Sequence, residues 1–282
     1  MPGLPATEPQ PVCVTELAAQ ALWQELMLTP KPGLVDRANN GAHRDMDYGC
    51  FTRSIAAITP WFSLFEELGE THAERVGPEQ LQLLRPAGIA CEQAMYAATG
   101  GVNTHKGGIF SLGLLCCAAG RLRGRREVLS ADALCAEVSQ LCAGLVAREL
   151  AARPGKATAG ERQYRQLGLA GARGEAESGF TTVRRYVLPA WENTSGEQRL
   201  QRALLQLMAV NPDSNLISRG GLAGLRYVQT YARQLLADGW DNKKLAEMDR
   251  QLIVRHLSPG GSADLLAVAW VLGNLGQAKG PP

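Results

Sequence analysis

Aromatic residues are scarce in this chain: Phe, Trp and Tyr make up 6% of its 282 residues. Those present are not interleaved with basic runs. Charge of one sign is lacking too, with 29 Lys and Arg against 27 Asp and Glu. Together these absences exclude the basic, aromatic footprint of a nucleic-acid-binding protein. No apolar run reaches the roughly 20 residues that cross a bilayer. The seven cysteines, at 13, 50, 91, 116, 117, 135 and 142, are odd in number and never spaced as Cys-x-x-Cys. That excludes a disulfide framework and a zinc site, and it implies reduced, buried thiols in a cytoplasmic protein. Residues 1–12 lack the basic start and apolar run of a signal peptide and read as a flexible tail. The sequence has no strand-like alternation, no Gly-x-Gly-x-x-Gly after a strand, no Walker loop, no adjacent His-Asp pair and no internal repeat.

What is present is helical periodicity. Apolar spacing predicts helices over 14–28, 51–68, 77–98, 130–150, 159–167, 197–210, 222–236 and 242–257. Two further segments, Ile109 to Ala119 and the run from Asp264 to Leu275, are apolar on every face, as buried helices are. The fold expected is all-α: a single compact multi-helix domain over 13–277, with buried central helices, glycine-rich loops at helix N-termini and a short tail at 278–282. The stretch from Arg153 to Gly160, with Pro154, Gly155 and Lys156, reads as a mobile lid.

Chemistry gathers in the loops ahead of these helices. Gly101-Val102-Asn103-Thr104-His105-Lys106-Gly107-Gly108 opens into the first buried helix. Free amides at a helix start bind anions, Lys106 adds a full charge, and His105 exchanges a proton near neutrality. A plain capping turn would account for Asn103 or Thr104, but not for adjacent His and Lys. Earlier, Pro30-Lys31-Pro32-Gly33 aims Lys31 between two prolines, and a polar loop with Asp36 and His43 follows. Glu175 and Glu177 are two apart, so a helix would turn them to different faces; Arg173 and Glu177, four apart, are placed to pair. Asp213 and Asn215 offer oxygens for Mg²⁺. Ser218, Arg219 and Gly220, read as a loop before a helix, form a second anion pocket; the plainer alternative is an Asx turn with a cap. Gly260, Gly261 and Asp264 open the last apolar helix, where Asp264 alternatively just favours the positive helix end.

The stretches Leu28–Arg37, Gly41-Ala42-His43, Gly101–Gly107, Gly171–Glu177, Ser218-Arg219-Gly220-Gly221 and Leu257–Leu266 resemble, in order, the motifs of the triphosphoribosyl-dephospho-CoA synthase family. The likeness runs from about Leu22 to Leu272. The Asn-Thr-His-Lys-Gly and Ser-Arg-Gly-Gly forms resemble the branch serving citrate lyase rather than malonate decarboxylase. The resemblance implies that ATP and 3′-dephospho-CoA are substrates, with adenine and 2′-(5″-triphosphoribosyl)-3′-dephospho-CoA as products. It further implies that the product passes to a separate holo-acyl-carrier-protein transferase. Lys31, Lys106 and Arg219 are then expected to hold the triphosphate with Asn103, Thr104, Gly107, Arg173, Ser218, Gly220, Gly260 and Gly261. Mg²⁺ is expected on Asp213, Asn215 and Asp36. Glu175, Asp264 and His105 are the alternatives for the base, while Asn103, His43 or a carboxylic acid would meet the departing adenine. A helical Mg²⁺-dependent nucleotide hydrolase is the rival enzyme class and a helical adaptor the non-enzymatic one. No nucleic acid or membrane partner is expected, and assembly into a homo-oligomer stays open.

Overall fold

The computed structural model describes residues 13–151 and 159–275, and no strand occurs among them. The helices are α1 (Val14–Met27), α2 (Tyr48–Ile58), α3 (Trp61–Thr71), α4 (Gly77–Thr99), α5 (Lys106–Gly124), α6 (Ala131–Leu141), α7 (Ala159–Leu167), α8 (Gly171–Glu177), α9 (Thr181–Tyr186), α10 (Gly196–Val210), α11 (Ser214–Asp238), α12 (Asn242–Val254) and α13 (Gly260–Asn274). The tails and nearly all of the expected lid lie outside the described residues.

Side-chain caps set several boundaries, as polar residues ahead of apolar periodic runs do. Asp47 accepts the Cys50 N–H at 2.7 Å, Ser130 that of Ala133 at 3.1 Å, and Asp241 that of Lys244 at 2.8 Å. Three expected boundaries are corrected. The helix expected over 51–68 is two, α2 and α3, with Pro60 at the break, because proline cannot donate the interior backbone bond. The helix expected over 130–150 ends at Leu141, and the chain passes Gly144 at φ +71° before one π-helical turn at Ala147–Ala151. The loop expected up to Gly221 is helical from Ser214, and α11 bends at Gly221, whose φ of 62° and ψ of −163° are not helical.

Two helices form the centre. Helix α5 buries nearly every residue from Gly108 to Leu122, and α13 buries Leu265 to Ala269 with Val271 and Leu272. They touch each other, and α1 packs on both. Each fully buried leucine contributes roughly 1.5–3 kcal/mol by leaving water. Helix α3 runs close along α5: a Cβ at Gly69 would lie 2.1 Å from the Cys117 carbonyl oxygen, and one at Gly120 1.9 Å from that of Glu66. The far end of α5 is fastened by Arg121, which pairs with Glu137 and donates to the carbonyls of His72 and Arg75 at 3.2 and 2.8 Å. Arg125 also pairs with Glu137. Six of the seven thiols are buried and all seven are free; burial pushes Cys91, Cys117, Cys135 and Cys142 up to about 12, which keeps them protonated and inert. No helix among the described residues is long and apolar enough to cross a membrane. With the far end of α5 fastened and α1 packed on both α5 and α13, their first turns become supports for whatever lies ahead of them.

Candidate active site

The first turns of α5, α11 and α13 open on one cavity of about 460 Å³. Three helix starts facing a common space concentrate the positive ends of three dipoles. Of the residues expected in a site, Lys31, His43, Asn103, Thr104, His105, Lys106, Gly107, Glu175, Asp213, Asn215, Arg219, Gly260, Gly261 and Asp264 all line it. They come from loops up to 233 positions apart (Lys31 to Asp264). Asp36, Arg173, Ser218 and Gly220 do not line it.

Those four have other work. Asp36 folds its own turn, accepting N–H groups from Lys31 at 2.9 Å, Ala38 at 2.7 Å and Asn39 at 3.0 Å. Arg173 turns to a second cavity, where its Nε donates to Glu149 at 2.7 Å. Ser218 accepts from Gln163 at 2.8 Å, inside α11 rather than in a loop. Gly220 makes room for Leu257, whose Cδ2 lies 2.5 Å from where a Cβ would stand. The Gly220-Gly221 pair therefore lies at the bend between two helical stretches of α11, not in a loop.

Within the cavity, Asp213 links two helix starts. Its Oδ1 accepts the N–H of Asn215 at 2.9 Å and, at 3.4 Å, that of Leu216; its Oδ2 accepts the Ser262 N–H at 2.8 Å and hydroxyl at 3.0 Å. With its lone pairs so occupied it is a cap and a staple, not the metal ligand expected. Among the described residues no three His, Cys, Asp or Glu side chains come together to hold a metal. The protein-held Mg²⁺ site expected on Asp36, Asp213 and Asn215 is thus not formed by these residues.

Lys31 is also corrected. It is 1% exposed, and its Nζ donates to Glu25 Oε1 at 2.6 Å and to the Glu25 carbonyl at 2.9 Å. A buried cation needs such a partner, so its charge is answered before a ligand arrives. Glu25 lines the cavity and escaped the sequence reading. The signal was there: a carboxylate among Ala18, Ala21, Leu22 and Leu26 on the apolar stripe of α1, where charges are rarely buried unless paired.

His43 and Arg219 brace the rim. Arg219 donates to the Ala42 carbonyl at 3.0 Å and to His43 Nδ1 at 3.1 Å, and His43 Nε2 meets Ser258 Oγ at 2.8 Å. Nδ1 is therefore the acceptor and Nε2 the donor. Burial, then the Arg219 charge, lowers the His43 pKa to about 4. Both ring nitrogens are in use, which leaves neither for the departing base.

His105 is different. It is 4% exposed, packs edge-on to Phe51 with ring centroids 4.8 Å apart, and lines the cavity. Thr104 Oγ1 donates to Ser54 Oγ at 2.7 Å, and Ser54 Oγ meets His105 Nδ1 at 2.7 Å. A relay running that way makes Nδ1 the acceptor and puts the proton on Nε2. Nε2 has no partner among the described residues, and a buried donor without one costs stability unless a ligand supplies it. Burial, and then Lys31, lowers the ring pKa to about 3. The unfolded ring titrates near 6.5, so between these values the unfolded chain binds the extra proton and stability falls as pH falls. His105→Gln should remove that dependence. The wild-type stability measured by urea unfolding should lose roughly 1 kcal/mol more per pH unit than the variant's between pH 6 and 4, and match its pH slope above pH 7.

Two carboxyls remain. Glu175 accepts the Thr182 hydroxyl at 2.5 Å and its N–H at 3.2 Å, and burial raises its pKa. Its neighbour Glu177 turns away and accepts the N–H groups of Gly144 and Val146 at 3.0 and 2.8 Å, as the two-residue spacing requires. Asp264, one turn into α13, reaches the first turn of α5. A Cβ added at Gly107 would stand 1.9 Å from its Oδ2, and the Gly108 amide supports the carboxylate. Burial, then the charges of Asp213 and Glu25, pushes the Asp264 pKa well above the ordinary aspartate value. Asn103 Oδ1 accepts the Lys106 N–H at 3.2 Å, the capping role weighed for it, and Lys106 Nζ reaches Glu92 at 2.8 Å.

A sequence profile of the ATP:dephospho-CoA triphosphoribosyl transferase family matches residues 12–282. The chain belongs to this family. It is 56% identical over 264 residues to a probable 2-(5″-triphosphoribosyl)-3′-dephosphocoenzyme-A synthase of Pectobacterium carotovorum, covering 92% of this chain and 88% of that one. It is 54% identical over 264 residues to the synthase of Pectobacterium atrosepticum, with the same coverage. With the synthase of Klebsiella pneumoniae it shares 50% identity over 272 residues, 92% of this chain and 89% of that one. No solved structure matches. As a triphosphoribosyl transferase the protein must hold a highly anionic donor and a nucleotide acceptor together. The positive ends of three helices face this one cavity. The unpartnered His105 donor and the high-pKa Asp264 carboxyl lie on the wall of the same space.

Proposed function

We propose that the protein moves the triphosphoribosyl group of ATP onto the 2′-hydroxyl of 3′-dephospho-CoA in this cavity, releasing adenine. The contact between Asp264 and the Gly107-Gly108 turn carries this reading, because it sets a carboxyl of raised pKa beside a helix start built for phosphate. The C1–N bond of the ATP ribose breaks as the hydroxyl oxygen bonds to C1, as in inverting glycoside cleavage with an alcohol in place of water. Asp264 takes the hydroxyl proton, which balances the one the adenine gains. His105 Nε2–H donates a hydrogen bond to the departing base. Lys106, Arg219 and the positive ends of α5 and α13 hold the triphosphate without cleaving it. Mg²⁺ enters as part of the ATP substrate, since Mg²⁺ is commonly held by phosphates with few protein ligands. Glu175 holds the start of α9 at the cavity wall.

The product is the prosthetic-group precursor of the citrate lyase acyl carrier protein, handed on to a separate transferase. Free buried thiols support a cytoplasmic setting. The test is direct: with ATP, Mg²⁺ and dephospho-CoA, free adenine should appear, and it should vanish when dephospho-CoA is left out. Adenine or phosphate release without the acceptor would instead favour a nucleotide hydrolase.

A further inference from the structure

A second cavity, of about 350 Å³, adjoins the first and shares Lys106, Gly107 and Ala172 with it. Its interior is apolar, with Phe65, Leu84, Phe110 and Leu114 on its walls. Its volume lies within the range of small-molecule sites. Charge is confined to a few residues: Arg85 and Arg173 share the single carboxylate of Glu149, and Lys106 pairs with Glu92. Among the described residues three cations therefore face two carboxylates, an excess that suits an anion. Ile89 lines this cavity and is 49% exposed, a large apolar side chain left facing water.

We propose that this second cavity is the subsite for the pantetheine arm of dephospho-CoA, with its diphosphate at the Arg85 and Arg173 cations. This rests on the transfer reaction proposed above. The acceptor needs its ribose at the Asp264–Gly107 contact. The rest of the molecule must then leave by a route that first meets cations and next meets apolar surface, for the gem-dimethyl and methylene groups of the arm. The cavity beyond Lys106 and Gly107 offers those in that order. Of the two substrates, only dephospho-CoA carries a branched aliphatic arm.

Gly88 makes the subsite testable. It lines the cavity within α4, and a Cβ there would meet nothing within 4 Å. Gly88→Leu thus starts its side chain in open space on the cavity wall and adds bulk there, and replacing a helical glycine removes a small penalty. The variant should raise KM for dephospho-CoA by about tenfold or more, the equivalent of one lost apolar contact patch, while KM for ATP stays within about twofold. Ile89→Glu, at the half-exposed mouth, should act in the same direction and guards against a Gly88 variant that fails to fold. Pantetheine alone should inhibit the wild type competitively against dephospho-CoA and not against ATP. A folded Gly88→Leu protein with unchanged KM for dephospho-CoA would overturn the assignment, as would pantetheine competing with ATP. If wild-type protein releases no adenine in the presence of dephospho-CoA, the transfer reaction itself fails; if it does and the variants are indifferent, only the subsite fails.

Discussion

Asp264→Asn should lower kcat for dephospho-CoA-dependent adenine release by ~10²–10⁴, the usual contribution of a positioned base, while leaving KM for ATP within a few-fold. The isosteric amide keeps the contact with the α5 first turn, so the triphosphate should still bind. Stability should move the other way. Asp264 lies near Asp213 and Glu25, and its folded pKa is raised above the unfolded value. The folded protein therefore binds that proton more tightly, and stability is lost as pH rises from the ordinary aspartate value through the raised one. Removing the charge should raise Tm, and raise it more at pH 8 than at pH 5. A site that is destabilised in order to work behaves this way. The wild-type kcat/KM profile should show an acidic limb well above the ordinary aspartate range, and the variant should lack it. A variant with wild-type kcat would remove Asp264 from the reaction; one with a lower Tm at both pH values would make it a structural group.

The all-helical fold was legible because α5 and α13 are apolar on every face and the others carry a 3.6-residue stripe. The convergence of distant loops was legible only through their shared chemistry. Cationic and amide-rich turns before buried helices need a common ligand, and the cavity gathers Lys106, Arg219, Gly260 and Asp264. What stayed hidden was how each polar group is satisfied. Asp36 and Asp213 look alike as oxygen donors in sequence, yet backbone N–H groups account for the first, and backbone N–H groups with the Ser262 hydroxyl for the second. Lys31 looked like a free cation because its partner, Glu25, is one helix turn and a loop away on a face that reads as core. Arg173 was placed to pair with Glu177, but tertiary packing brought Glu149 instead. Gly220-Gly221 matched the other two glycine pairs in composition, and only the backbone shows that α11 had already begun. Local pattern finds polar groups; it does not show which of them folding has already used.

The glycine pair at the start of α5 gives the sharpest separation between two otherwise equal residues. Gly107→Ala should reduce kcat nearly as much as Asp264→Asn, by about two orders of magnitude or more, although it adds a single methyl and touches no ionisable group. The added carbon would stand 1.9 Å from Asp264 Oδ2 and 2.6 Å from its Cγ. Neither atom belongs to the backbone, so the carboxyl rotates away and the helices stay in place. The cost is therefore paid in geometry, where a misplacement of about 1 Å takes roughly a hundredfold from a rate, and Tm should change little. Gly108→Ala is the internal control. Its Cβ would lie 3.6 Å from both Asp264 Oδ1 and Leu22 Cδ2, which is ordinary contact, and alanine is the better helix former. That variant should retain activity within a few-fold and be slightly more stable. Equal loss in both variants would mean that the turn itself, rather than the Asp264 carboxyl it seats, sets the rate; equal tolerance would mean that Asp264 does its work from some other position.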